Sequence, residues 1–267
     1  MKKRLLLLAA VLAMVTMVHA QKTLILYYSE TGTTEKVAQE LQRQLGADIE
    51  GIEVVEPYTG IFQETIQRCQ HEMQEGTTPA LQPLKSSVAD YDVIFLGYPI
   101  WFGTYAMPIA SLLRDHDFNG KTIVPFCTFG SGGLNTSSDA LRKALPKAKV
   151  VQGYGVRTAR VEAAAKELDR FLKENGYQEG SVTPLPPYSE QHPVTEEDKA
   201  IFNAACSSYQ FPLGTPLTVG KRTTTDSTDY QFTVQSRGMH GEEGTAIIFV
   251  TVGNEQGAKP EFTEVVR

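Results

Sequence analysis

A run of hydroxyl side chains around one glycine is the first feature of this sequence that could bind a ligand. The run is Ser29, Glu30, Thr31, Gly32, Thr33 and Thr34. It follows an apolar strand pattern and precedes apolar residues at helical spacing, which predicts a strand, a loop and a helix N-terminus. Such a loop binds a phosphate dianion through backbone amides and hydroxyls, and Gly32 allows close approach of the backbone. Because the run holds no lysine or arginine, it favours a permanently bound phosphorylated cofactor over a nucleotide that is hydrolysed.

Two further segments carry residues suited to a flat heteroaromatic ring. The first, residues 98–103, contains the only tryptophan of the chain. Its candidate ligand residues are Pro99, Ile100, Trp101, Phe102 and Gly103. The second, residues 128–133, is rich in glycine, with the candidates Thr128, Phe129, Gly130, Gly132 and Gly133. An aromatic side chain would stack on the ring and loop amides would bond its heteroatoms; core packing of Trp101 and a mobile glycine turn are the alternatives.

The elements between these segments predict how the segments come together. Strand patterns cover residues 23–28, 48–55, 91–97, 121–128 and 148–155, and helical patterns cover residues 33–45, 61–75, 107–115, 136–145 and 160–175. This alternation predicts a parallel five-stranded sheet with helices on both faces, an α/β fold. The three segments follow the first, third and fourth strands, so they should meet at the carboxyl edge where such sheets bind ligands.

Two of the helices have apolar faces that we expect to point into the core. On residues 61–75 the face consists of Ile61, Phe62, Ile66, Cys69 and Met73. On residues 160–175 it consists of Val161, Ala164, Ala165, Leu168, Phe171 and Leu172. The second helix is expected to end at Gly176.

The residues of these segments resemble the flavodoxin family. Residues 29–34 look like the flavodoxin phosphate loop, S/T-x-T-G-x-T, and residues 97–101 resemble the second loop, whose aromatic side chain stacks on FMN. The order of elements over residues 22–176 is also similar. The resemblance implies a flavodoxin-like doubly wound sheet and FMN as the cofactor. In residues 128–133 the only aromatic is Phe129, which is more similar to the glycine-bearing loop of flavodoxin-fold quinone reductases.

The N-terminus has the pattern of a secretory signal peptide. Lys2, Lys3 and Arg4 precede an apolar run over residues 5–18 and the small residue Ala20. The run is shorter than the roughly 20 residues that span a bilayer, so cleavage after Ala20 is favoured over a membrane anchor. The prediction is an exported protein, periplasmic or extracellular, that does not span the membrane after cleavage.

Charge and cysteine content limit the classes of function. The net charge is −6, and it becomes −9 when the three N-terminal basic residues are removed. This balance disfavours nucleic-acid binding and favours basic partners. Three scattered cysteines provide no disulfide framework.

Several catalytic and metal-binding motifs are missing from the sequence. It contains neither G-x-x-x-x-G-K-[S/T] nor a G-x-G-x-x-G after the first strand, and its five histidines are scattered. We therefore predict no metal site, no catalytic triad and no catalytic residue of the protein itself.

A proline-rich segment over residues 181–193 separates the first domain, residues 21–180, from residues 194–267. The second part begins with a helix capped by Thr195, with Ile201, Phe202, Ala205 and Cys206 as its apolar side. Strand patterns follow at residues 216–224, 230–236, 245–252 and 262–266. The prediction is a small α+β domain with one helix and four antiparallel strands.

Residues 228–230 and 257–263 of this second domain resemble the cystatin fold. The inhibitory Q-x-V-x-G hairpin of cystatins is replaced by residues 223–227, TTTDS, so protease inhibition is not implied. We expect the domain to act in docking or stability, and a chain ending near Ser181 to still bind FMN. The opposing hypothesis is that the domain covers the edge of the cofactor.

Three functions fit these features. The first is an exported electron carrier that exchanges electrons with partner proteins through FMN. The second is an FMN-dependent oxidoreductase that reduces a small acceptor such as a quinone. The third is a binding protein without redox activity. Export weighs against a nicotinamide-dependent enzyme, because that cofactor is mainly cytosolic.

Overall fold

The computed structural model describes residues 21–237 and 243–267. The predicted signal peptide, residues 1–20, lies outside this described part. In the first domain the strands are β1 (Thr23–Tyr27), β2 (Asp48–Gly51), β3 (Val93–Trp101), β4 (Thr104–Tyr105), β5 (Thr122–Phe129), β6 (Lys149–Val150) and β7 (Tyr154–Arg157). The helices are α1 (Thr33–Leu45), α2 (Phe62–Glu75), α3 (Met107–Asp115), α4 (Leu134–Ala144) and α5 (Ala164–Glu174).

The first domain is built on a parallel sheet with the strand order β2-β1-β3-β5-β6, and β7 also pairs with β5. In its centre Leu24 pairs with Ile94, and Ile94 pairs with Ile123. The predicted α/β fold with a doubly wound parallel sheet is therefore confirmed. The fifth predicted strand is split into β6 and β7. The split lies beside Pro125, which has no N–H to donate to a neighbouring strand, and a Cβ on Gly153 would lie 2.3 Å from the Pro125 carbonyl oxygen.

Alternate residues of the strands fill two cores, one on each face of the sheet. Leu24, Ile94 and Ile123 belong to the core that also contains residues of α2, α3 and α4. Ile25 and Phe95 belong to the core that contains residues of α1 and α5. Strands buried on both faces explain the continuous apolar runs in the sequence.

The predicted apolar face of α2 is wrong at three of its five residues. Ile61, Phe62 and Met73 are 55%, 71% and 53% exposed, whereas Cys69 is buried as predicted, together with the polar residues Thr65 and Glu72. Polar contacts set this rotation, because Thr65 donates to Glu30 and the hydroxyl of Tyr58 donates to Glu72 at 2.6 Å. Burying Thr65 or Glu72 without these partners would be unfavourable, so the hydrogen bonds stabilise this rotation of the helix.

The helix predicted over residues 160–175 begins later than expected. Residues Thr158–Ala163 form a 3₁₀ turn, and α5 starts at Ala164. Leu168 and Phe171 face the core as predicted, but Ala165 is exposed. Ala165 lies at the edge of the face formed by Ala164, Leu168 and Phe171, one residue along the helix from Ala164, which explains the error.

The second domain is a five-stranded antiparallel sheet with one helix. Its elements are β8 (His192–Pro193), α6 (Glu196–Cys206), β9 (Thr215–Thr223), β10 (Ser227–Arg237), β11 (Glu243–Gly253) and β12 (Glu261–Val266), and the strand order is β12-β11-β10-β9-β8. Phe202 of α6 packs edge-to-face on Phe232 of β10. Thr195 and Asp198 form a capping box at the start of α6, as expected for this N-terminus.

The expected four strands become five because the end of the proline-rich segment joins the second sheet. His192 pairs with Val219, and the amide of Ser189 donates to the carbonyl of Lys221 at 2.8 Å. Pro193 is tolerated there because β8 is an edge strand. Within the described residues, no helix has the length and apolarity needed to cross a bilayer.

Candidate functional site

The hydroxyl-rich loop presents the free N-terminus of α1. Gly32, with φ of 82°, precedes α1, and among the described residues no side chain caps this helix. Lys36 is the first residue of the helix whose amide donates a helical hydrogen bond, to the carbonyl of Gly32 at 3.1 Å. The hydroxyl of Ser29 is buried without a hydrogen-bond partner in the described part of the chain. Unpaired amides and a buried unpaired hydroxyl beside a helix N-terminus fit a phosphate dianion.

The acidic side chains of the loop and of the first turn of α1 are held by other residues. Glu30 accepts a short hydrogen bond from Thr65 of α2. Glu35 accepts from the hydroxyl of Tyr27 at 3.3 Å, and burial together with Glu35 raises the pKa of Tyr27 to about 12. Both carboxylates thus have partners that tie them to neighbouring elements.

A buried hydrogen bond joins the first and third segments. The hydroxyls of Thr34, in the first turn of α1, and Thr128, in β5, lie 2.8 Å apart, and both residues are buried. Pro99 of β3 is the register partner of Thr128. Residues of all three segments are therefore brought to the carboxyl edge of the sheet, as predicted, although the second and third segments begin within the last residues of β3 and β5.

The tryptophan segment is a hairpin and not the predicted loop. Trp101 is the last residue of β3, and it pairs with Thr104 of β4. Phe102 and Gly103 form the turn with φ values of 49° and 79°, and left-handed values at both positions are typical of the tight turn that joins two antiparallel strands. Phe102 is 50% exposed at the tip.

Two tyrosines that were not predicted as site residues hold the indole ring of Trp101. Its centroid lies 5.7 Å from that of Tyr28 and 5.0 Å from that of Tyr58, both edge-to-face. The Arg68 guanidinium lies 4.0 Å from the Tyr58 ring centroid. Burial and the hydrogen bond to Glu72 raise the pKa of Tyr58, so its hydroxyl stays a donor. Tyr28, directly before Ser29, could have been found from its position, whereas Tyr58 carries no signal in the sequence.

The third segment differs from the prediction at Phe129. This residue ends β5, and its side chain is 4% exposed in the core, so its ring is packed inside the domain and only its backbone borders the loop. The loop itself is residues 130–133. Gly133, with φ of 123°, lies against the hairpin, and a Cβ there would be 2.8 Å from Cγ2 of Ile100.

Arg157 at the end of β7 is a further residue that was not predicted. It is 8% exposed. Its Nε donates to the carbonyl of Gly130 at 2.7 Å, and its Nη1 donates to the carbonyl of Phe262 in β12 at 2.9 Å. The guanidinium also lies 4.1 Å from the Phe262 ring centroid. Arg157 thus links the third segment to the second domain, a contact between parts of the sequence far apart along the chain.

A cleft of about 1350 Å³ lies between the two domains. Its lining reaches Phe129, Gly155 and Glu264, and it includes no residue of the first or second segment. Burial raises the pKa of Glu264 to about 6. The cleft is therefore a neighbour of the third segment and distinct from the hydroxyl-rich loop of residues 29–34.

The first domain of this chain is similar to known proteins. The sequence profile of the flavodoxins matches residues 22–172. A protein from Bacteroides uniformis assigned as a flavoprotein is 29% identical, with a TM-score of 0.50, and the match covers 56% of this chain and 98% of that one. A second such protein, from Bacteroides eggerthii, is 32% identical with a TM-score of 0.48, over 56% and 96% of the two chains.

A flavoprotein from Lactobacillus acidophilus, solved in complex with FMN, is 23% identical with a TM-score of 0.47, over 56% of this chain and 97% of that one. Each of the three is matched over almost its whole length and covers little more than half of this chain. No curated protein matches the sequence.

Proposed function

This chain belongs to the flavodoxin family, whose cofactor is FMN, and from this premise we propose that it is an exported FMN-binding protein that carries electrons between partner proteins. The observation that carries the proposal is the uncapped N-terminus of α1 beside the buried, unpartnered hydroxyl of Ser29. An unpaired buried hydroxyl is unfavourable in the free protein, and a bound phosphate would give it a partner.

The three segments have separate tasks in this proposal. Ser29, Thr31, Thr33 and the amides of α1 hold the phosphate. Trp101, fixed by Tyr28 and Tyr58, offers an aromatic surface to the ring, and the amides of residues 130–133 bond its polar edge. When bound, FMN supplies the electron-accepting chemistry, and the protein binds it, orients it and excludes water.

Two properties support a carrier that docks on other proteins. The mature chain would have a net charge of −9, which favours encounter with a basic partner. Phe102 is half exposed at the tip of the Trp101 hairpin, and an aromatic side chain beside the ring site suits a small, transient contact. The proposal thus includes both export of the protein and electron transfer to a basic partner protein.

Electron transfer to a basic haem protein tests the carrier function. The chemically reduced, FMN-loaded protein is mixed with oxidised cytochrome c, and the rate is measured at rising ionic strength. A carrier should react quickly, and the rate should fall as salt screens the opposite charges. A negligible rate at every ionic strength would contradict the proposal.

The interdomain cleft favours a second candidate, an FMN-dependent oxidoreductase of the quinone-reductase type. The cleft, about 1350 Å³, reaches Phe129 of the third segment and Glu264 of β12, which lies beside that segment, so it has room for a small acceptor next to the loop. Steady-state turnover with NADPH and a quinone separates the two candidates: the carrier should show none above free FMN, whereas the enzyme should show saturable turnover.

A further inference from the structure

Strand β12 of the second domain packs directly on the third segment. The amide of Val265 donates to the carbonyl of Ser131 at 2.7 Å. A Cβ on Gly132 would lie 2.3 Å from the carbonyl oxygen of Val265 and 3.3 Å from Cγ of Glu264. Only glycine allows so close an approach of two backbones, so Gly132 is required by the contact between the domains.

Arg157 holds the same loop next to this contact. Its two hydrogen bonds join the carbonyl of Gly130 to that of Phe262. Among the described residues Arg157 forms no salt bridge, and burial lowers its pKa. Burying a guanidinium without a carboxylate is unfavourable, so the position of Arg157 is explained by the two carbonyls that it joins.

Residues 130–133 contain three glycines and would sample many conformations if they were free. In the folded chain they are fixed from two sides, because Gly133 packs on Ile100 of the hairpin and Gly132 packs on β12. The conformation of this loop therefore depends on the docking of the second domain.

We propose that the second domain is a structural part of the flavin site: Arg157 and β12 act as positioning groups that hold residues 130–133 in the conformation that binds the flavin ring. This inference rests on the proposed FMN binding. It replaces the expectation that residues 21–180 are sufficient for FMN binding. Because coupling between two binding events is reciprocal, FMN should also tighten the docking of β12.

The test uses the full chain and two substitutions on different sides of the loop. Gly132→Ala places a methyl group against Val265, and Arg157→Met removes both hydrogen bonds of the guanidinium. Asp226→Asn is the matched control, because Asp226 pairs with Lys166 at 2.6 Å in an exposed contact between the domains that lies away from the loop. FMN affinity is measured by fluorescence titration, and amide hydrogen exchange is measured with and without FMN.

Both loop variants should raise the FMN dissociation constant by about tenfold or more. Gly132→Ala should push the Val265 amide away from the Ser131 carbonyl, and Arg157→Met removes the donor to the Gly130 carbonyl. Asp226→Asn should change it by less than about twofold, because exposed ion pairs contribute little. In the wild-type protein FMN should slow exchange of the Val265 amide, a readout that needs no variant.

The outcomes separate this inference from the proposed function. A wild-type protein that does not bind FMN overturns both. Wild-type binding that Gly132→Ala and Arg157→Met retain overturns this inference alone. FMN binding that leaves exchange of the Val265 amide unchanged also overturns it, even if both variants fail to fold.

Discussion

Replacing Ser29 by alanine should change stability and FMN affinity in opposite directions. The hydroxyl of Ser29 is buried and has no partner among the described residues. A buried polar group without a partner costs about 1–3 kcal/mol, and a water that reaches it in the free protein would reduce this cost. Ser29→Ala should therefore leave the free energy of unfolding of the FMN-free protein unchanged or raise it by up to about 1 kcal/mol.

The same substitution removes a donor to the phosphate. A hydrogen bond to a charged group contributes about 1.5–3 kcal/mol, which corresponds to a dissociation constant for FMN that rises about 10- to 100-fold. Riboflavin lacks the phosphate, so its affinity should not change. The measurements are urea unfolding of the FMN-free protein and titration of both flavins by fluorescence.

Ser111→Ala is the matched control, since Ser111 is also buried but its hydroxyl donates to the carbonyl of Pro79 at 2.5 Å. It should lower the free energy of unfolding by about 1–2 kcal/mol and leave FMN affinity unchanged. The reasoning is refuted if Ser29→Ala destabilises the free protein as much as Ser111→Ala does, or if it leaves FMN affinity unchanged.

Three further predictions concern the other segments. Fluorescence of Trp101, the only tryptophan, should be quenched when FMN binds, and Trp101→Ala should weaken binding by about 1 kcal/mol or more; unchanged fluorescence would show that the indole lies away from the ring. Thr34→Val leaves the buried hydroxyl of Thr128 without its partner, so urea unfolding should show a loss of about 1–3 kcal/mol, whereas Thr31→Val, at an exposed position, should show none. Burial raises the pKa of Glu264 to about 6, so folding favours the neutral form of this side chain. The stability that the neutral form provides is lost as the pH rises through 6. The unfolding free energy of wild type relative to Glu264→Gln should thus be about 1 kcal/mol higher at pH 5 than at pH 8, after allowance for partial exposure, and an equal difference at both pH values would count against this reasoning.

The sheet and the place of the site could be predicted because they depend on local pattern. Strands buried on both faces leave uninterrupted apolar runs, such as residues 93–96, and the ends of those runs locate the carboxyl edge. The start of α1 was predicted correctly at Thr33, because Gly32 and the threonines around it are typical of that loop.

The parts that could not be predicted depend on contacts between distant residues. The rotation of α2 is set by Tyr58 and Glu30, partners outside the helix, so its own apolar spacing was misleading. Arg157 acts on Gly130 and Phe262, and no spacing in the sequence relates these three positions. The end of the proline-rich segment forms β8 because it pairs with β9 at the edge of the second sheet, a contact that its own sequence does not indicate.

The central claim is that residues 29–34 and the N-terminus of α1 bind the phosphate of a flavin. The most direct test compares the affinity for FMN with the affinity for riboflavin. The purified full chain is freed of flavin and titrated with each ligand, with tryptophan and flavin fluorescence as readouts. We predict one FMN per chain and an affinity for riboflavin that is weaker by at least about 100-fold, since several donors to the phosphate are lost together. Equal affinities for the two flavins, or no binding of either, would contradict the account.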